Sequence, residues 1–129
     1  MFLHRLAAAS AIGLAAAASA PSSAQAPAAP VQQILLYSYG YNPNPIVLAA
    51  GKPVTLTFLN RAGKGHDFTA AKFFASSRIL AGNVSGGEVD LDGGQSKSVT
   101  LVPAAGQYKV HCGKPFHKML GMSGDIVVR

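Results

Sequence analysis

The sequence predicts an all-β domain, a Greek-key β-sandwich of seven to eight strands. Three observations lead there. Apolar residues recur with a period near 2 in short runs, Gly, Pro and Asn turns separate those runs, and no segment carries a helical stripe beyond a turn or two within Ala70–Leu80.

The runs follow in order. Val31–Tyr39 opens, and Ile46–Leu48 comes after the breaker Tyr41-Asn-Pro-Asn-Pro45. In Pro53–Asn60 the residues Val54, Leu56 and Phe58 share one face, as a half-buried strand requires. His66–Phe74 reads as a strand that gives way to a looser segment. Glu88–Leu91, Ser96–Val102, Gln107–Cys112 and Gly124–Val128 complete the set. Gly51-Lys52, Gly86-Gly87, Gly93-Gly94 and Ala104-Ala-Gly106 supply turns. In the Gln107–Cys112 run, Tyr108, Val110 and Cys112 share a parity that faces inward, while His111 takes the opposite face.

Length and composition bound the function. The chain has 129 residues, 49% hydrophobic and 12% charged, with 11 Lys+Arg against 5 Asp+Glu and a single cysteine. That length allows one domain. The apolar content excludes a disordered chain, and one cysteine excludes both an intramolecular disulfide and any site built on two thiolates.

Residues 1–26 read as a signal peptide and leader. Met1–Arg5 is a short positive segment, and Leu6–Ala18 is an Ala-rich run too short and too weakly apolar to span a bilayer, which needs about 20 residues. Ser22-Ser-Ala24 and Ala24-Gln-Ala26 both suit a signal peptidase, and Pro27 disfavours the second, so cleavage near 24–26 is expected with the bond open. An N-terminal membrane anchor is the alternative. Cleavage leaves 103 to 105 residues and lowers the formal charge from +6 to +5 by removing Arg5. The domain proper is expected over 31–129, in the periplasm, as a monomer with no membrane span. A domain this small often gains stability from a disulfide or a metal, and disulfides are excluded here.

The last turn region contains Cys112-x4-His117-x4-Met122 on a loop between two strands, and His66 follows an earlier strand in Gly63-Lys-Gly-His-Asp-Phe68. Thiolate, imidazole and thioether together favour a soft or borderline ion, copper above all. Calcium or magnesium would want several carboxylates. Zinc usually takes more Cys or His, and Met is a poor zinc ligand. Met119 is the rival thioether, two residues beyond His117.

These motifs resemble the cupredoxins, small exported blue-copper electron carriers. Pro45–Gly51 and Val54-x-Leu-x-Phe-x-Asn60 are similar to the early strands of that family. His66-Asp-Phe68 is similar to its first ligand segment and Gly94-Gln-Ser to its mid-chain turn. Gly106-x-Tyr-x-x-x-Cys112 with His117 and Gly121-Met122 resembles the copper loop, with the spacing of rusticyanin and auracyanin. The resemblance implies one type 1 copper ion with His66, Cys112 and His117 as equatorial ligands and Met122 as the long axial one. The Gly65 carbonyl, a distant fifth contact in azurin, is the less favoured reading and is left out of the expected ligand set. Asp67 stands where the family usually has Asn. Its backbone would tie the two ligand loops together, and its carboxylate would favour Cu(II).

The plainer readings also stand. A lone Cys is often a small buried hydrophobe, and single histidines are more often surface or core residues than ligands. His111 sits beside Cys112 as in copper nitrite reductases and multicopper oxidases. A second copper centre would need further histidines, and after the leader there are only His66, His111 and His117. His111 is therefore expected to be structural.

The four ligands leave no open coordination position, and no catalytic triad, carboxylate pair or phosphate loop is present, so the chain is not expected to be an enzyme. The expected function is a periplasmic electron carrier. Partners would dock near His117, where Pro115, Phe116 and Leu120 form an apolar patch. Lys64, Lys114 and Lys118 would ring it and steer an acidic partner, unless they serve only solubility. Nucleic acid is not an expected partner, since export removes the opportunity. The alternatives are a periplasmic copper chaperone or store, and an accessory module of a larger copper enzyme.

Overall fold

A computed structural model of the chain describes residues 10–21, 28–117 and 119–129. Most of the expected leader's ends, 1–9 and 22–27, and Lys118 lie outside the described residues, while 10–21 are exposed and without regular secondary structure. No helix among the described residues is long and apolar enough to cross a membrane.

Two five-stranded sheets pack face to face. The first runs β2-β1-β4-β8-β6, with β1 at Val31–Tyr37, β2 at Gly40–Asn42, β4 at Val54–Asn60, β6 at Arg78–Ala81 and β8 at Ser96–Val102. The second runs β3-β10-β9-β5-β7, with β3 at Ile46–Leu48, β5 at His66–Thr69, β7 at Glu88–Leu91, β9 at Gly106–His111 and β10 at Ser123–Val128. From β2 to β9 successive strands alternate between the sheets, the hairpins β1–β2 and β9–β10 each stay within one, and β1–β4 and β3–β10 pair in parallel. The expected sandwich is therefore present, with ten strands and one short helix, α1 at Ala71–Ser76, among the described residues.

The additional strands have a physical explanation. β2 lies at the start of the Asn-Pro-rich stretch read as a breaker, where only three residues pair with β1 before the prolines remove donors. β6 is exposed at all four positions, so it has no inward apolar row for periodicity to detect. The expected strand from His66 ends at Thr69, and α1 buries Phe73 and Phe74 one after the other.

Between the sheets sits one core. Ile34 and Leu36 of β1, Leu56 and Phe58 of β4, Val99 and Leu101 of β8, and Val110, Ile126 and Val128 of the opposing sheet are all buried. Each such Leu, Ile or Phe contributes about 1.5–3 kcal/mol by leaving water. In β4 the inward row does not stop at Phe58. Asn60, two residues on, is also fully buried.

Candidate metal centre

His66 and Cys112 are 46 residues apart, and the second sheet brings them together. β5 lies between β9 and β7: His66 pairs with Leu91, and Thr69 pairs with His111. Cys112 follows β9 directly and continues its inward row after Val110, as its parity predicts. The loop from Cys112 to Met122 is a chain of turns closed on itself. The Cys112 N–H donates to the Met122 carbonyl at 3.1 Å and the Met122 N–H to the His117 carbonyl at 3.0 Å. Within that loop Phe116 takes a left-handed backbone, φ 65°.

Three donor atoms converge. His66 Nδ1 is 3.1 Å from His117 Nδ1 and 4.0 Å from Cys112 Sγ, and His117 Nδ1 is 3.4 Å from the same sulfur. A circle through three points so spaced has a radius of about 2.1 Å, within the range of metal–nitrogen and metal–sulfur bonds. Other groups at the end of the sandwich separate by burial. Met122 is completely buried at the foot of the loop, whereas Met119 is 83% exposed. His111 lies half-buried on the other face, paired in the sheet with Ser123 and Thr69. This chemistry and spacing fit a single type 1 copper ion.

The surroundings set the protonation of the two buried donors. Burial, reinforced by the nearby His117 and Lys64, holds the His66 imidazole below its ordinary pKa, so it is neutral and has a lone pair to give. Burial pushes the Cys112 thiol up, partly countered by backbone N–H groups. Metal binding must therefore displace a proton that the apo site retains. One of those N–H groups is that of Asp67, 3.4 Å from the sulfur.

Asp67 joins the His66 and Cys112 loops more extensively than its backbone alone would. Its Oδ1 accepts from the Gly113 N–H at 2.7 Å and from the Thr69 hydroxyl at 2.7 Å, while its carbonyl accepts from the buried Tyr41 phenol at 2.7 Å. Asp67 is itself 3% exposed. The carboxylate thus grips the residue after Cys112 from the residue after His66.

Sequence reasoning missed a second fastening. The Asn60 amide donates to the carbonyls of Lys64, Leu91 and Asp92 at 2.8, 3.2 and 3.1 Å, and its Oδ1 accepts from the Ala62 N–H at 3.0 Å. These bonds pin the loop leading to His66 against the end of β7. A signal existed, because the parity of Val54, Leu56 and Phe58 places Asn60 on the inward row. Ser38 and Tyr39, in the turn between β1 and β2, also reach the histidines, and nothing in their spacing marks them.

The lysines differ in their engagement. Lys114 pairs with Asp90 at 2.9 Å, which matches its charge. Lys64 lies over the Tyr39 ring, 5.8 Å from its centroid.

Solved structures share this fold. They include dithionite-reduced auracyanin from the photosynthetic bacterium Roseiflexus castenholzii, 23% identical, covering 80% of this chain and 99% of that one at a TM-score of 0.59. Auracyanin A from Chloroflexus aurantiacus, described as a blue copper protein, is 19% identical over 77% of this chain and 98% of its own, at 0.55. The McoA multicopper oxidase of Aquifex aeolicus is 15% identical at 0.61, matching 78% of this chain but 29% of the oxidase. No curated protein sequence matches the chain. The sequence profile of the Cupredoxin-like domain matches residues 7–128. By that match, which runs along nearly its whole length, the chain belongs to the cupredoxin-like domain family.

Proposed function

We propose that the protein is an exported, periplasmic blue-copper electron carrier, with His66, Cys112 and His117 as equatorial ligands of one copper ion and Met122 as its axial ligand. The observation that carries this is the triangle of two Nδ1 atoms and one Sγ, on a loop that ends in a fully buried methionine. Copper held there supplies one-electron transfer between Cu(I) and Cu(II).

The chain's own part is to keep the donors still. Two ligands stand at strand ends anchored in one sheet, and Asp67 and Asn60 cross-link the loops, so the site resists rearrangement when its charge changes. The Asp67 N–H directed at Sγ draws off part of the thiolate charge. His117 is the ligand nearest the surface, and around it Phe116, Met119 and Leu120 are 72%, 83% and 56% exposed. Such a patch suits brief docking of a redox partner. Lys64 adds positive charge beside it and favours an acidic partner.

Addition of Cu(II) to the purified protein tests the reading. An intense visible sulfur-to-copper band with reversible one-electron voltammetry is expected. A colourless copper complex with Cys112 intact would refute blue copper, and a band without reversible voltammetry would turn the reading towards a copper store or chaperone. Oxidase activity appearing only on co-purification with a larger protein would instead favour an accessory module.

A further inference from the structure

The two nitrogens of His66 have different duties. Nδ1 faces Cys112 Sγ and His117 Nδ1, while Nε2 points the other way and lies 3.0 Å from Ser38 Oγ. A neutral imidazole carries one proton, and its position decides which nitrogen has the lone pair. With the proton on Nδ1, His66 would have no pair to offer in the cluster. With the proton on Nε2, a hydroxyl must accept it, because His66 is fully buried and an unpartnered N–H there is costly. Ser38 is exposed, so its oxygen is free to accept from the ring and its own proton can point to solvent. In the metal-free protein the His66 Nδ1 then accepts from the His117 Nδ1–H at 3.1 Å.

The neighbouring residue holds the rings from the same side. Tyr39 stands edge-on to both imidazoles, its centroid 6.1 Å from that of His66 and 5.2 Å from that of His117. One turn between β1 and β2 thus touches both histidines, through a hydrogen bond and an aromatic edge.

We propose that Ser38 is a positioning residue: its hydroxyl accepts the Nε2 proton of His66 and thereby fixes the tautomer that presents Nδ1 to a metal, with Tyr39 holding the ring planes. Which metal is bound rests on the blue-copper reading. The tautomer is a property of the chain and does not.

The test is therefore made first on metal-free protein. In the ¹⁵N-labelled wild type, two-bond imidazole couplings should report His66 protonated at Nε2, with a slowly exchanging proton. Ser38→Ala should shift population to the Nδ1-protonated form and speed exchange, and Ser38→Thr, which keeps the hydroxyl, should restore the wild-type pattern. Because Ser38 is exposed, the fold should survive either change. Competition with a Cu(I) chelator should then show affinity reduced by about 10–100-fold in Ser38→Ala and recovered in Ser38→Thr, the usual scale for loss of such an outer partner. An unchanged tautomer and exchange rate in Ser38→Ala would overturn the proposal, as would a Ser38→Thr protein as impaired as Ser38→Ala. If wild-type protein gave no blue-copper band, the copper reading would fall while the metal-free result kept its meaning.

Discussion

Replacing Asn60 by leucine should weaken the domain well beyond what a substitution of similar size would do elsewhere in β4. The change removes the bond accepted from Ala62 and the two amide protons shared among the carbonyls of Lys64, Leu91 and Asp92, three hydrogen bonds' worth in all. At about 1 kcal/mol net for each, the loss is about 3 kcal/mol. Leucine returns about 1–2 kcal/mol through apolar burial, leaving a deficit of about 1–2 kcal/mol. For a domain of about 100 residues this corresponds to a fall in melting temperature of about 5–15 °C. Urea denaturation of the metal-free wild type and variant, compared at a common m-value, measures it directly. Asn60→Asp is the informative companion, since it keeps the shape and the bond from Ala62 but turns a carboxylate towards three carbonyl oxygens. It should be at least as damaging. A loss below about 0.5 kcal/mol for Asn60→Leu, with an unaltered copper spectrum, would show that the amide does not hold the His66 loop.

Other outcomes follow from the same geometry. Asp67→Asn keeps an oxygen for Gly113 and Thr69 but removes a buried negative charge that favours Cu(II). Voltammetry should show the reduction potential rising by some tens of millivolts, the scale of a nearby unit charge at an effective dielectric of about 20, and no rise would remove Asp67 from control of the potential. Because His66 has a lower pKa folded than the ordinary value of about 6.5, the unfolded chain binds a proton first as pH falls. Stability of the metal-free protein should therefore be full above pH 6.5 and decline below it, by at most about 1.4 kcal/mol per pH unit, until the folded imidazole titrates. A flat profile between pH 7 and 5 would contradict this. Removing copper with a chelator should lower the melting temperature, since a ligand at 100 times its dissociation constant stabilises by about 2.7 kcal/mol. Cys112→Ser should abolish both the visible band and that stabilisation. Gly93→Ala should destabilise by about 1–3 kcal/mol, because a Cβ there would meet the Gly63 backbone at 2.7 Å and push on the loop before His66. An unchanged denaturation midpoint would show that the loop yields freely.

Much of this was legible in local pattern. Alternation marked β1, β4, β8, β9 and β10, because those strands put one apolar face into the core, and strand parity placed Cys112 inward. Alternation failed where one-sided burial failed. His66, Asp67 and Phe68 are all buried, since the sheet's end is covered on both faces, and β6 is exposed throughout. Asn60 illustrates the boundary. Its parity was readable, yet a polar residue on an apolar row is interpretable only when its partners are known.

The sequence by itself determined the sandwich class, the order of Cys112, His117 and Met122 on one loop, and the donor chemistry that favours copper. These depend on residue type and short spacing, which a chain carries in one dimension. Only the tertiary structure decided which thioether is buried, that Asp67 joins the loops through its side chain, that Lys114 is engaged by Asp90, and that Ser38, Tyr39 and Asn60 belong to the centre. Each of those depends on atoms from segments far apart in the chain. Their contacts are set by how two sheets pack and register, and no local pattern of residues encodes that distance.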